Sequence, residues 1–81
     1  MSRAKQPFTT DRGEPFPLGT TRKEHGINFA IFSRNAGEVN LVLAHGNGEI
    51  RLDPELNRTG DIWHIFLNCE DETLSYGYRV N

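Results

Sequence analysis

From Gly26 onward the chain never holds apolar residues at helical spacing; short apolar segments alternate with turn residues at regular intervals. Apolar side chains at every second position line one face of a strand, whereas a helix needs them three and four apart. The chain is thereby confined to an all-β fold. INFAIFS sets Ile27, Phe29 and Ile31 on one face and Asn28, Ala30 and Phe32 on the other, then ends in the turn RNAG. EVNLVLA sets Val39, Leu41 and Leu43 against Asn40, Val42 and Ala44, and Asn47-Gly48 supplies the positive-φ residues of a tight hairpin into IRLDP. The polar loop ELNRTG leads into DIWHIFLN, and after the acidic turn CEDET the segment LSYGYRVN puts Leu74, Tyr76, Tyr78 and Val80 on one face. These strands, with LGTTRKE as a further candidate, read as an immunoglobulin-like β-sandwich of short antiparallel strands.

At 81 residues the chain is one domain at most, and a domain of this size removes only about 60–65% of its unfolded surface from water. Pro7, Pro15 and Pro17 lack amide donors and sit in a polar stretch, so residues 1–14 are expected to be a flexible arm and 15–81 the sandwich. The last apparent strand runs to Asn81 with no turn after it, which gives the expectation of a domain truncated before a further one. Nine Lys and Arg are scattered among eleven Asp and Glu. Nucleic-acid binding needs a clustered positive face, so it is not expected. No apolar run marks a signal peptide or membrane span, and the lone Cys69 cannot form an internal disulfide; a reducing, cytoplasmic setting is the expectation.

GDIWHIFL, residues 60–67, departs from the alternation of a half-exposed strand. Ile62, His64 and Phe66 fall on one face and Trp63, Ile65 and Leu67 on the other, so both faces are apolar. The expectation is a strand with one face in the sandwich and the other toward a neighbouring domain, with Trp63, Ile65 and Leu67 as the interdomain packing residues. Catalysis finds little support. Asp53, Glu55 and Asp61 lie in loops beside Pro54 and Gly60 without a cleft, and read as solvated turn formers. His25, His45 and His64 are too far apart in sequence to seed a metal site, so neither metal nor other cofactor is expected. His64 and Cys69 lack an oxyanion-forming turn, and His64 reads as a strand residue satisfied by hydrogen bonds. No catalytic residue is assigned. Flat rings lie well against the C–H face of a glucose unit, which makes Trp63, Tyr76 and Tyr78 the candidate carbohydrate-binding residues; packing is the competing role for each.

Taken together, PFPLGTT, GINFAIFSRNAGEVNLVL, LDPELNRTGDIWHIFL and LSYGYRV, in this order and spacing, resemble the N-terminal domain of isoamylase-type glycogen and starch debranching enzymes, carbohydrate-binding module family 48. The resemblance runs from about Gly13 to the end. It implies a sandwich followed by a (β/α)8 barrel of the α-amylase type that hydrolyses α-1,6-glucosidic branch points, with the catalytic carboxylates downstream of this chain. The implied partners are that barrel and α-glucan, glycogen or starch. Trehalose-releasing hydrolases and branching enzymes carry related domains and are alternative parents; an autonomous α-glucan-binding module is the alternative role. LAHGNGEI is a short hairpin of the bacterial kind, while LDPELNRTGDIWHIFL looks plant-like, so the compartment implied is the cytoplasm or, for a plant or alga, the plastid. With one tryptophan the chain cannot build a two-tryptophan sugar platform.

Overall fold

The two strands richest in apolar residues, β3 (Gly26–Phe32) and β7 (Ile62–Asn68), pair antiparallel along their whole length, Gly26 opposite Asn68 and Phe32 opposite Ile62. That register puts Ile27, Phe29 and Ile31 on one side of the sheet with Leu67, Ile65 and Trp63, and Asn28, Ala30 and Phe32 on the other with Phe66, His64 and Ile62. The structure, a computed structural model, describes residues 9–44, 48–69 and 74–81. β2 (Gly19–Lys23) adds to β3. β1 (Thr9–Asp11) and β6 (Arg58–Thr59) both add to the opposite flank of β7, one toward each end. The first sheet therefore runs β1-β7-β3-β2, with β6 also on β7.

The second sheet is centred on β4 (Val39–Leu43), flanked by β5 (Gly48–Arg51) and β8 (Tyr76–Val80). Every pairing is antiparallel, and the described residues contain no helix. Gly48 takes the expected positive φ, at 108°; its predicted turn partner Asn47 lies outside the described residues. Between the sheets Val39, Leu41 and Leu43 of β4 form one buried cluster with Ile27, Phe29, Trp63, Ile65 and Leu67, closed by Ala36, Leu52 and Cys69. Burying each large apolar side chain in such a core contributes about 1.5–3 kcal/mol. The architecture is the immunoglobulin-like β-sandwich that the strand pattern predicts.

β1 and β2 stand on opposite edges of the first sheet, so the chain between them has to cross β7 and β3. Residues 12–18 do so over the outer face. The Arg12 carbonyl accepts from His64 Nδ1 at 2.8 Å and from Asn57 Nδ2 at 3.3 Å. One strand further on, Asn28 holds the Glu14 backbone at both groups, accepting from its N–H at 2.8 Å and donating to its C=O at 2.9 Å. Gly13, at φ 78°, lies so close to β7 that a Cβ there would stand 2.7 Å from the Ile65 carbonyl carbon. Beneath this strap Asn28, Ala30 and His64 are buried. Residues 9–14, read from the prolines as part of a flexible arm, are thus hydrogen-bonded into the sheet. The reason is local: a backbone that lies on a polar patch of Asn28, Asn57 and His64 finds partners for its own N–H and C=O groups.

Candidate functional site

The face of β7 that carries Trp63, Ile65 and Leu67 is covered by the chain itself. Trp63, Ile65 and Leu67 point into the sandwich, and Trp63 has 0% of its surface exposed. These side chains therefore present no surface to a neighbouring domain. Period-two alternation could not say which apolar face was the inner one, because shifting the assignment by one residue exchanges the faces wholesale. The Arg58 guanidinium sits 5.0 Å from the Trp63 ring centroid and closes the ring from the sheet edge.

Tyr76 and Tyr78, the other two candidate sugar residues, stand opposite Leu43 and Leu41 on the edge strand β8 and so share the inner side of the second sheet. Tyr78 packs against the core, and burial, aided by the neighbouring charge of Tyr76, pushes its phenol up to about 12. Tyr76 meets the Phe29 ring edge-on at 4.9 Å and Tyr78 at 5.9 Å. Of the three, Tyr76 at 43% is the one with substantial exposure. The rings do not line up as one solvent-facing platform.

The loop carboxylates serve turns. Asp53 Oδ1 accepts from the Glu55 amide at 2.8 Å, Asn57 Oδ1 returns a bond to the Asp53 amide at 2.9 Å, and Asp61 pairs with Arg34 at 3.3 Å. Among the described residues no group of three or more His, Cys, Asp or Glu side chains is placed to hold a metal ion. His64 is satisfied as expected, by the Arg12 carbonyl and by Thr59 Oγ1 at 2.8 Å.

What the first sheet leaves open is one end of its outer face. There an open depression of about 570 Å³ lies between the strap, with Asp11, Arg12 and Glu14, and the β2–β3 turn, with Lys23, Glu24 and His25. Phe66, Asn28 and Asn68 line it from the sheet. Asn68 Nδ2 is held by the Thr9 carbonyl at 3.2 Å and Asp11 Oδ2 at 3.1 Å. Phe66 was visible in the sequence only as one more apolar residue of a two-faced strand; nothing local marks it, because the depression is built by a segment more than fifty positions away. At the opposite end of the same face Phe32 is 54% exposed, and Leu18, which precedes the first residue of β2, is 52% exposed.

Two antiparallel sheets closed over one core, with the N-terminal segment strapped across the outer face, define an immunoglobulin-like β-sandwich. A family model described as carbohydrate-binding module 48 (isoamylase N-terminal domain) matches residues 17–81, and the chain belongs to that family. It is 40% identical over 92 residues to isoamylase 3, chloroplastic, of Oryza sativa subsp. japonica, a match covering 99% of this chain and 12% of that protein. It is 48% identical over 69 residues to the glycogen debranching enzyme of Dickeya chrysanthemi, covering 85% of this chain and 10% of the relative. Isoamylase 1, chloroplastic, of Arabidopsis thaliana is 35% identical over 90 residues, with 95% and 12% covered. The chain thus spans about an eighth or less of the length of these curated relatives.

Proposed function

We propose that this chain is the non-catalytic N-terminal sandwich of an isoamylase-type debranching enzyme, a glycoside hydrolase whose separate (β/α)8 domain cleaves α-1,6-glucosidic branch points. The observation that carries this reading is the family match over residues 17–81 together with relatives named as isoamylases and glycogen debranching enzymes. The carboxylates of this chain engaged in turns and edge ion pairs leave the hydrolytic chemistry to the other domain.

Its mechanical role is to pack on that domain. Trp63, Ile65 and Leu67 are enclosed, and among the exposed apolar side chains we assign the contact to Phe32 and Leu18, at one end of the first sheet. Exposed apolar patches of this kind mark interaction sites. The compartment follows the parent enzyme, plastid for a plant or alga and cytoplasm otherwise.

The test is an assay of the full-length polypeptide that carries residues 1–81. Release of linear chains from branched glucan, with no action on linear amylose, is the expected result. Formation of new branches or release of trehalose would assign the domain to a different parent. The packing surface is tested on the isolated chain by sedimentation: Phe32→Ser with Leu18→Ser reduces self-association, and an unchanged distribution would move the contact elsewhere. A second role, direct contact with α-glucan, is favoured by the open depression beside Phe66.

A further inference from the structure

We infer that the depression on the outer face of the first sheet is a binding site for glucosyl units of an α-glucan, with the Phe66 ring as its stacking surface. The inference rests on the carbohydrate-module reading above and gives it a place on the molecule, distinct from the three aromatic residues that sequence reasoning favoured.

The ring is held in position from below. Gly26 lies against Phe66, and a Cβ at that position would stand 2.5 Å from Phe66 Cζ and 2.8 Å from Cε2. The ring therefore occupies the space that a side chain at position 26 would take, and it stays half-buried against the sheet. A ring fixed in this way offers flat apolar area at little entropic cost, which suits the C–H face of a pyranose.

The surroundings select the chemistry of the ligand. Asp11, Glu14 and Glu24 stand against Arg12 and Lys23 around the rim, so the formal charges nearly cancel. A phosphorylated or polyanionic ligand would require a clear positive excess, whereas carboxylates, an ammonium and a guanidinium around an aromatic base supply both donors and acceptors for neutral hydroxyls. The volume of about 570 Å³ lies within the usual range of small-molecule sites, about 300–1,000 Å³. Its open form suits a chain lying across it. Phe66 is four residues from Ile62 along β7, about 13 Å at the rise of an extended strand. Covering the Phe32 end by a second domain accordingly leaves this site free.

The experiment is a titration of the 81-residue chain with maltoheptaose, followed by amide chemical shifts and by calorimetry. Shifts concentrated at Gly13, Gly26, Phe66 and Asn68 are expected. Phe66→Leu, which keeps an apolar side chain but loses the flat ring, weakens binding about tenfold or more. Lys23→Ala, an exposed rim change that leaves the fold alone, weakens it about threefold. The second variant keeps the test decisive should the first lose its fold. Shifts clustered at Tyr76 and Tyr78, with both variants binding normally, would overturn this site while leaving α-glucan binding by the domain intact. No shifts at millimolar sugar would overturn the site and the glucan-contact role together; the debranching reading is judged separately, by the products of the full-length enzyme.

Discussion

His64 of β7 and Arg12 of the strap are joined by a 2.8 Å bond from the ring to the backbone, across fifty-two positions of sequence. A carbonyl oxygen can only accept, so Nδ1 carries the hydrogen; in the neutral ring Nε2 is then the acceptor for the Thr59 hydroxyl at 2.8 Å. The His64 amide donates to the Asn57 carbonyl at 2.8 Å, and Asn57 in turn donates to the Arg12 carbonyl. His64 thus ties the middle of β7 to the strap and β6 through its ring and to the loop before β6 through its amide.

His64→Ala removes both ring bonds and leaves a void under the strap. The combined loss of hydrogen bonding and packing is about 2–4 kcal/mol, out of a total stability of about 4–12 kcal/mol for a domain of this length. Urea unfolding measures it, and amide exchange at Gly13 and Glu14 should accelerate in the same variant. A loss below about 1 kcal/mol would mean that the strap is held without His64.

Gly13→Ala tests the closeness of the strap. The new Cβ meets backbone atoms of Ile65 and Phe66, which cannot rotate away, and the φ of 78° is itself unfavourable for alanine. Gly60 has a similar φ of 62° but no neighbour within 4 Å of its added Cβ, so Gly60→Ala carries the conformational cost alone, about 1–2 kcal/mol. Gly13→Ala should cost clearly more by thermal unfolding, and equal costs would place the strap further from β7.

Trp63→Ala should remove about 3–5 kcal/mol, a large share of the total stability, read as a lowered urea midpoint. In the intact chain the fluorescence of Trp63 should be blue-shifted, resistant to iodide, and unmoved by added maltoheptaose. A sugar-dependent quench would show that the indole reaches the surface.

Glu49 accepts from Asn40 Nδ2 at 2.6 Å and from Arg79 Nε at 3.0 Å. The bond from Asn40, then that from Arg79, holds its carboxyl below the usual glutamate range. The unfolded chain therefore binds more protons just below about pH 4.3, so the stabilisation is complete above that pH and disappears as pH falls through the lower folded value. Glu49→Gln should flatten the acid side of the stability profile in this window and leave the pH dependence near neutrality unchanged.

Tyr78 gives the opposite sign at the other extreme. Its folded value of about 12 lies above the unfolded phenol value of about 10. The contribution is present in full below about pH 10 and is lost as pH rises to the folded value, because the unfolded chain releases its proton first. Ultraviolet titration should show one phenolate forming late, and Tyr78→Phe should remove that step.

The fold was legible where side chains alternate against a core. β3, β4 and β8 carry such alternation, and Ile27, Phe29 and Leu41 lie together in the core as their period grouped them. β1 and β6 were not legible, because TTD and RT have no apolar residue and are strands only through their pairing with β7. Trp63 shows the limit for the site. A strand apolar on both sides has two ways to face, and the choice here was made by the strap, whose polar residues give no hint of covering anything. Phe66 was overlooked for the same reason, since its surroundings come from Asp11, Glu14 and Lys23, which lie far from it in sequence.

The crossing of the strap also has a consequence in time. Thr9 leaves a ribosome well before Asn68, yet its carbonyl waits for that residue, 59 positions later, to arrive. Until then β3 can pair with β2 but has neither β7 beside it nor a cover over Ala30. Contacts of such long sequence separation slow folding, and they leave the nascent chain exposing strand edges meanwhile. The sandwich therefore closes in one late step, and its first-made strand is among the last to find its place.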